Sequence, residues 1–157
     1  MAIIHTSQTP QYTPPKCPIK KQGSGNAETA YKVICEGTFP TLNEYISKMN
    51  ASRYTGNDFK KQYQHFCELY IMRDLRGLNI QKPVFIKYRY YEQNKKRDLD
   101  NVAGFFHKVF QDALTACGVL NNDGWANITG FEDRFYIDAK KPRVEIEITI
   151  DTEEQAK

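Results

Sequence analysis

The sequence has little with which to build a metal cage or a disulfide scaffold. Its four cysteines stand at 17, 35, 67 and 117, none within a Cys-x-x-Cys pair. The three histidines, at 5, 65 and 107, add no zinc spacing. No stretch approaches the roughly 18 uninterrupted apolar residues of a membrane helix, and no Gly-rich phosphate loop is present. The Met-Ala-Ile-Ile start lacks the basic and apolar regions of a signal peptide. Cys67 and Cys117 fall on apolar faces of predicted helices. Together these features point to reduced core thiols and a cytoplasmic location.

What is present is globular in composition: 157 residues, 40% hydrophobic, 26% charged and 13% aromatic, enough for one core. The formal charge of +3 is mild, but it is unevenly spread. Residues 1–120 sum to +7 and residues 121–157 to −4. A dipolar chain of this kind can lay its basic part along a phosphate backbone. The bland alternative is a solvated surface with an acidic tail.

Residues 1–30 hold prolines 10, 14, 15 and 18 and the stretch Gln22-Gly23-Ser24-Gly25-Asn26, with few large apolar residues. Such a segment buries too little surface to offset chain entropy, so it reads as a flexible arm. Residues 31–152 read as the working domain and 153–157 as a tail. Tyr31–Gly37 suits a short strand, and 39–46 a turn and connecting loop. From Phe59 the apolar positions 63, 66, 67, 70, 71 and 75 keep a helical period, after a Thr55-x-x-Asp58 capping pattern and before Gly77. Residues 82–91 suit a strand by β-branched and aromatic content. Val102, Phe105, Phe106, Val109, Phe110, Ala113, Leu114 and Cys117 form one broad apolar stripe of a second helix, with Gly118 as its stop. Residues 128–138 and 143–150 read as strands joined in a hairpin across Lys140-Lys141-Pro142. The class is α+β, a mixed sheet of about four strands packed with two main helices.

The chemistry concentrates in Lys95-Lys96-Arg97-Asp98-Leu99-Asp100-Asn101. In an extended segment Asp98 and Asp100 share one face with Cα atoms about 7 Å apart. Two such carboxylates suit a hard cation, Mg²⁺ or Mn²⁺, that leaves positions for water and phosphate. The neighbouring Lys95, Lys96 and Arg97 would bring a polyanion to it. An ordinary helix cap explains the same residues, and the two readings are compatible. Lys108 lies on the polar face two turns past Asp100, where it can meet phosphate or simply pair with Asp112. Asp123, in Asn121-Asn122-Asp123-Gly124, also suits a turn. His107 reads as an unpaired surface histidine.

Taken in order, Arg97-Asp98-Leu99-Asp100-Asn101, Lys108, Asp112-Ala113-Leu114-Thr115, Gly118 and Asp123 resemble the RusA family of Holliday junction resolvases. Phe39-Pro40-Thr41-Leu42-Asn43-Glu44-Tyr45 is similar to the family's Pro-rich, Asn-containing segment, and the resemblance spans about residues 31–150. It implies a small homodimeric endodeoxyribonuclease, common in phages and prophages, that binds four-way junctions and nicks two strands symmetrically with Mg²⁺ or Mn²⁺ in recombination and repair. The family's three essential aspartates match Asp98, Asp100 and Asp123, and its lysine matches Lys108. The interval from Asp100 to Asp112 is about one helical turn longer than in the founding member. Aligned from the aspartate pair, the lysine position falls on Gly104; aligned from the helix end, which keeps Asp112, Gly118 and Asp123 in step, it falls on Lys108.

On this reading Lys87, Arg89, Lys95, Lys96 and Arg97 position DNA without reading its sequence. Tyr88, Tyr90 and Tyr91 either stack on opened bases or pack in the sheet. A helix over 101–117 would be about 25 Å long, which separates Asp123 from the other two aspartates. Either that helix starts late, or it bends near Gly104, or a second subunit supplies part of the site. The rival functions are a non-catalytic DNA-binding module whose aspartates only cap a helix, and a phosphotransferase acting on small phosphoesters.

Overall fold

A computed structural model describes residues 29–151; the predicted arm at 1–30 and the tail at 153–157 lie, all but its last two residues and entirely, outside the described residues. The elements in chain order are β1 (Ala30–Glu36), α1 (Leu42–Ala51), α2 (Arg53–Asp74), β2 (Val84–Glu92), α3 (Leu99–Ala116), β3 (Ile128–Ile137) and β4 (Arg143–Ile150). The four strands form one mixed sheet in the order β1-β4-β2-β3, with β2 and β3 parallel and the other pairs antiparallel. The α+β class therefore holds.

Two elements differ from the sequence expectation. The segment 39–46 is not a connecting loop throughout, because α1 starts at Leu42. Thr41 and Glu44 close a reciprocal cap: the Glu44 amide donates to Thr41 Oγ1 at 3.3 Å, and the Thr41 amide donates to Glu44 Oε2 at 2.6 Å. The second difference is at the chain's end. β3 and β4 follow one another but are not paired, since β2 lies between them. The predicted hairpin is a crossover past a central strand.

Helix α2 also starts earlier than its apolar period suggests. Ser52 caps it by accepting from the Thr55 amide at 2.9 Å, so Thr55-x-x-Asp58 lies inside the helix. Its first turn meets α1 closely: a Cβ on Gly56 would stand 2.9 Å from Met49 Cα. Gly104 does the same for α3, where a Cβ would come 3.2 Å from Leu42 Cδ2. Helix α3 runs unbroken through Gly104, so that glycine marks an approach and not a bend.

Alternation along the strands sends Val33, Cys35, Ile86, Tyr88, Tyr90, Val144, Ile146 and Ile148 into the core beneath the helices. Phe105, Phe106, Phe110 and Leu114 of α3 fill the other side, and Phe106 meets Phe39 edge-on with centroids 4.9 Å apart. Tyr88 and Tyr90 are fully buried, which settles their role as packing and removes them from base stacking. Gln111 donates to the Tyr88 hydroxyl at 3.4 Å, whereas the buried Tyr90 hydroxyl has no hydrogen-bond partner among the described residues. Burial, with the charge of Asp133 nearby, pushes the Tyr90 phenol far up. Cys35 and Cys67 are buried free thiols, as expected of Cys67, and burial raises Cys35 well above the ordinary range.

Candidate active site at the start of helix α3

The turn from β2 into α3 presents Asp98 and Asp100, both exposed. Asp98 is the N-cap by backbone, at φ −69° and ψ 140°, but its side chain makes no capping hydrogen bond. The expected extended pair is therefore half right. Asp98 is extended, while Asp100 already sits in the first helical turn. No hydrogen bond or ion pair engages either carboxylate among the described residues. Their charges face the positive end of the helix, which stabilises them.

An open cleft of about 290 Å³ lies here, lined by Thr41, Asn43 and Glu44 on one side and Lys96, Arg97, Asp98 and Asn101 on the other. The starts of α1 and α3 thus converge on one space. Its lining is of mixed charge, with Lys96 and Arg97 beside the carboxylates of Glu44 and Asp98. Arg97 builds the arrangement. Its Nε and Nη2 donate to the two carboxylate oxygens of Glu92, each at 2.9 Å, and Nη1 donates to the Phe39 carbonyl at 2.6 Å. The guanidinium predicted to face DNA is turned inward, and ties the end of β2 to the entry of α1. Lys95 and Lys96 remain exposed.

The other basic candidates are elsewhere. Lys87 and Arg89 alternate with the buried residues of β2 and so lie on the sheet face away from the helices. There Lys87 approaches Glu147 at 3.9 Å. Lys108 pairs with Asp112 at 3.2 Å, one helical turn on, and Asp112 is shared with Lys60 of α2 at 2.6 Å. Burial alone would raise the Asp112 carboxyl, but the hydrogen bonds from Lys60 and Lys108 outweigh it and hold it below the ordinary range. His107 is neither unpaired nor on the surface. Its Nε2 lies 2.8 Å from Asp133 Oδ1, and its ring packs between Tyr88 and Phe131, centroids 4.5 Å from each.

Asp123 is exposed in the turn before β3, where its amide donates to the Asn122 side chain and the Gly124 carbonyl accepts from the amides of Asn127 and Ile128. This turn lies at the start of β2, since Val84 is bonded to Asn127 and registered with Ile128. Asp98 and Asp100 follow the end of β2. Strand and helix together hold the two ends about 25 Å apart. Among the described residues, no three carboxylate, histidine or cysteine side chains form a metal-ligating group. Asp98 and Asp100 offer the hard oxygens that suit Mg²⁺ or Mn²⁺, but Asp123 lies in the turn beside the start of β2, away from them.

The family model described as Endodeoxyribonuclease RusA matches residues 37–149. The chain belongs to the RusA family of Holliday junction resolvases. No curated protein matches it. RusA membership makes it an endodeoxyribonuclease and covers both walls of the cleft, from Phe39 to Asn101, as well as the Asp123 turn. No helix among the described residues is long and apolar enough to cross a membrane. Sequence reasoning missed Thr41, Asn43 and Asn101 as cleft residues. The Thr41-x-x-Glu44 spacing signals the α1 start, but no local pattern tells which other helix start it faces.

Proposed function

We propose that this chain resolves four-way DNA junctions in recombination and repair as a homodimer, in the cytoplasm of a bacterium or a phage-infected cell. Asp98 and Asp100 of one subunit join Asp123 of the other to hold Mg²⁺ or Mn²⁺. The observation that carries the reading is the pair of unengaged carboxylates beside the cleft, a helical length away from the third. When bound, the cation would supply an activated water and offset charge on the leaving 3′ oxygen.

The chain's own residues do the rest. The first-turn amides of α1 and α3, with Thr41, Asn43 and Asn101, cradle a non-bridging phosphate oxygen. Lys95 and Lys96 hold the flanking phosphates, while Lys87 and Arg89 follow the backbone along the open sheet face. Arg97 acts as a positioning residue for the cleft. Lys108, released from Asp112 or bridging it, stabilises negative charge near the reacting phosphate. A purely capping role for Asp98 is disfavoured by its missing cap bond.

The test is nicking of a mobile four-way junction against matched duplex, with Mg²⁺, Mn²⁺ or chelator. The expected result is junction-selective, metal-dependent nicking that Asp98→Asn abolishes while leaving junction binding intact. Unchanged nicking in Asp98→Asn would overturn the proposal.

A further inference from the structure

We infer that Trp125 stacks on an unpaired nucleobase of the DNA substrate, next to the phosphate that a cation on Asp123 would serve. The inference rests on the junction-cleaving reading above and gives it a side chain that tells open DNA from closed duplex.

Trp125 is the chain's one tryptophan and is 99% exposed. An indole carries a large apolar face and is highly buried on average in folded proteins. Phe131, Tyr136 and Ile137, on the strand that follows, keep about half of their surface covered. Nothing among the described residues covers Trp125.

The backbone beneath it is nevertheless fixed. The Gly124 carbonyl accepts from the Asn127 and Ile128 amides, each at 3.0 Å, so Trp125 and Ala126 form the tip of a closed turn. The Asp123 amide donates to Asn122 Oδ1 at 2.8 Å. The Asn127 carbonyl accepts from the Val84 amide at 2.9 Å, which fastens the turn to the start of β2. Only the two side-chain torsions of the indole are left to be ordered when the ring meets a flat partner.

Position chooses that partner. Asp123 lies two residues away, at most about 7 Å between Cα atoms. The chain belongs to a family of endodeoxyribonucleases, so the substrate brought to this turn is DNA. Exposed Lys82 stands two residues before Val84, at the same end of the sheet, and supplies charge for a flanking phosphate. The flat apolar surface that DNA offers beside a phosphate is the face of a base. In a continuous duplex, neighbouring bases cover both faces. Where strands part or exchange, a face is free or a base turns out more readily. Trp125 therefore gains a contact at a junction centre that a duplex arm does not offer.

The experiment is a fluorescence titration of the full chain, in chelator, with a four-way junction and with matched duplex, binding being followed in parallel by gel shift. With a single tryptophan, excitation beyond the tyrosine band reads Trp125 alone. The junction is expected to quench the indole by stacking, and saturating duplex to leave it near its free value. Trp125→Ala removes a side chain packed on nothing, so it should fold as wild type does. It is expected to raise the Kd for the junction about tenfold and to leave that for duplex unchanged. Trp125→Phe, with a smaller ring, should recover part of the loss. Junction binding without quenching, equal quenching by duplex, or a Trp125→Ala chain that holds the junction as tightly as wild type would each overturn the inference. So would a free chain whose emission is that of a buried indole and whose self-association Trp125→Ala weakens, because a second copy would then cover the ring. Nicking reads the underlying proposal separately. Quenching and weakened Trp125→Ala binding without junction nicking by wild type would keep the stacking and remove the resolvase. Junction nicking without quenching would do the reverse.

Discussion

If the proposed dimer divides its aspartates between subunits, mixing Asp98→Asn with Asp123→Asn chains is the sharpest probe of it. Helix α3 has 18 residues, about 27 Å at 1.5 Å per residue, and Asp123 lies past its far end. A carboxylate there cannot share an ion with Asp98 of its own chain. Asp98→Asn and Asp123→Asn each keep side-chain size, and both positions are exposed, so neither should disturb folding. On the proposed reading each variant alone has two dead sites. A mixed dimer would then bring Asp98 of one chain to Asp123 of the other with both intact, while the second site carries both substitutions. Random re-association makes about half of all dimers mixed, so an equal mixture regains about a quarter of the wild-type sites. The assay is a labelled four-way junction with Mg²⁺ after co-refolding or subunit exchange. Since each mixed dimer owns one site, singly nicked junctions should accumulate over paired cuts. No recovery, with subunit exchange shown independently, would refute the divided site.

Three other outcomes follow from the packing. Gly56→Ala adds a Cβ that Met49 backbone cannot clear, so the gain in helix propensity should be outweighed and urea unfolding should show a net loss of about 1–3 kcal/mol. Tyr90→Phe removes a buried hydroxyl that makes no hydrogen bond of ordinary geometry but lies near the Asp133 carboxylate, and should change stability by less than about 1 kcal/mol in the same measurement; a larger loss would mean the hydroxyl is satisfied. Asp112→Asn should cost about 1 kcal/mol at neutral pH by weakening the link between α2 and α3. Because the folded carboxyl titrates below its ordinary 3.8, that contribution is full above 3.8 and fades as pH falls through the lower folded value. The difference between wild type and variant should therefore hold from pH 7 to 5 and close only in stronger acid.

The elements that declare themselves locally were legible. The stripe from Val102 to Cys117 gave α3, and the alternation from Val144 to Ile150 gave β4, because one face of each is buried. Helix α1 was not, since none of its residues is fully buried and its apolar face is correspondingly thin. The Lys108–Asp112 pair follows from spacing, whereas Lys60 reaches Asp112 from another helix and leaves no local trace. His107 was misjudged for the same reason, its partner Asp133 standing 26 residues away on β3. The hairpin expectation failed because adjacency in the chain does not encode which strand lies between two others. Asp98 and Asp100 are candidates by type and spacing, and the structure places them at the start of α3; where that helix begins depended on whether a carboxylate would cap.

The Arg97 fork makes the cleft a coupled mechanism. It joins parts of the chain 58 residues apart, so the lip carrying Lys95 and Lys96 and the wall carrying Thr41 and Asn43 are fastened to one guanidinium. Displacing either wall would then strain the Arg97 bonds to the other. Hydrogen exchange should then release residues 41–44 and 95–98 as one cooperative unit, and Arg97→Lys, which has no second prong, should let them open independently.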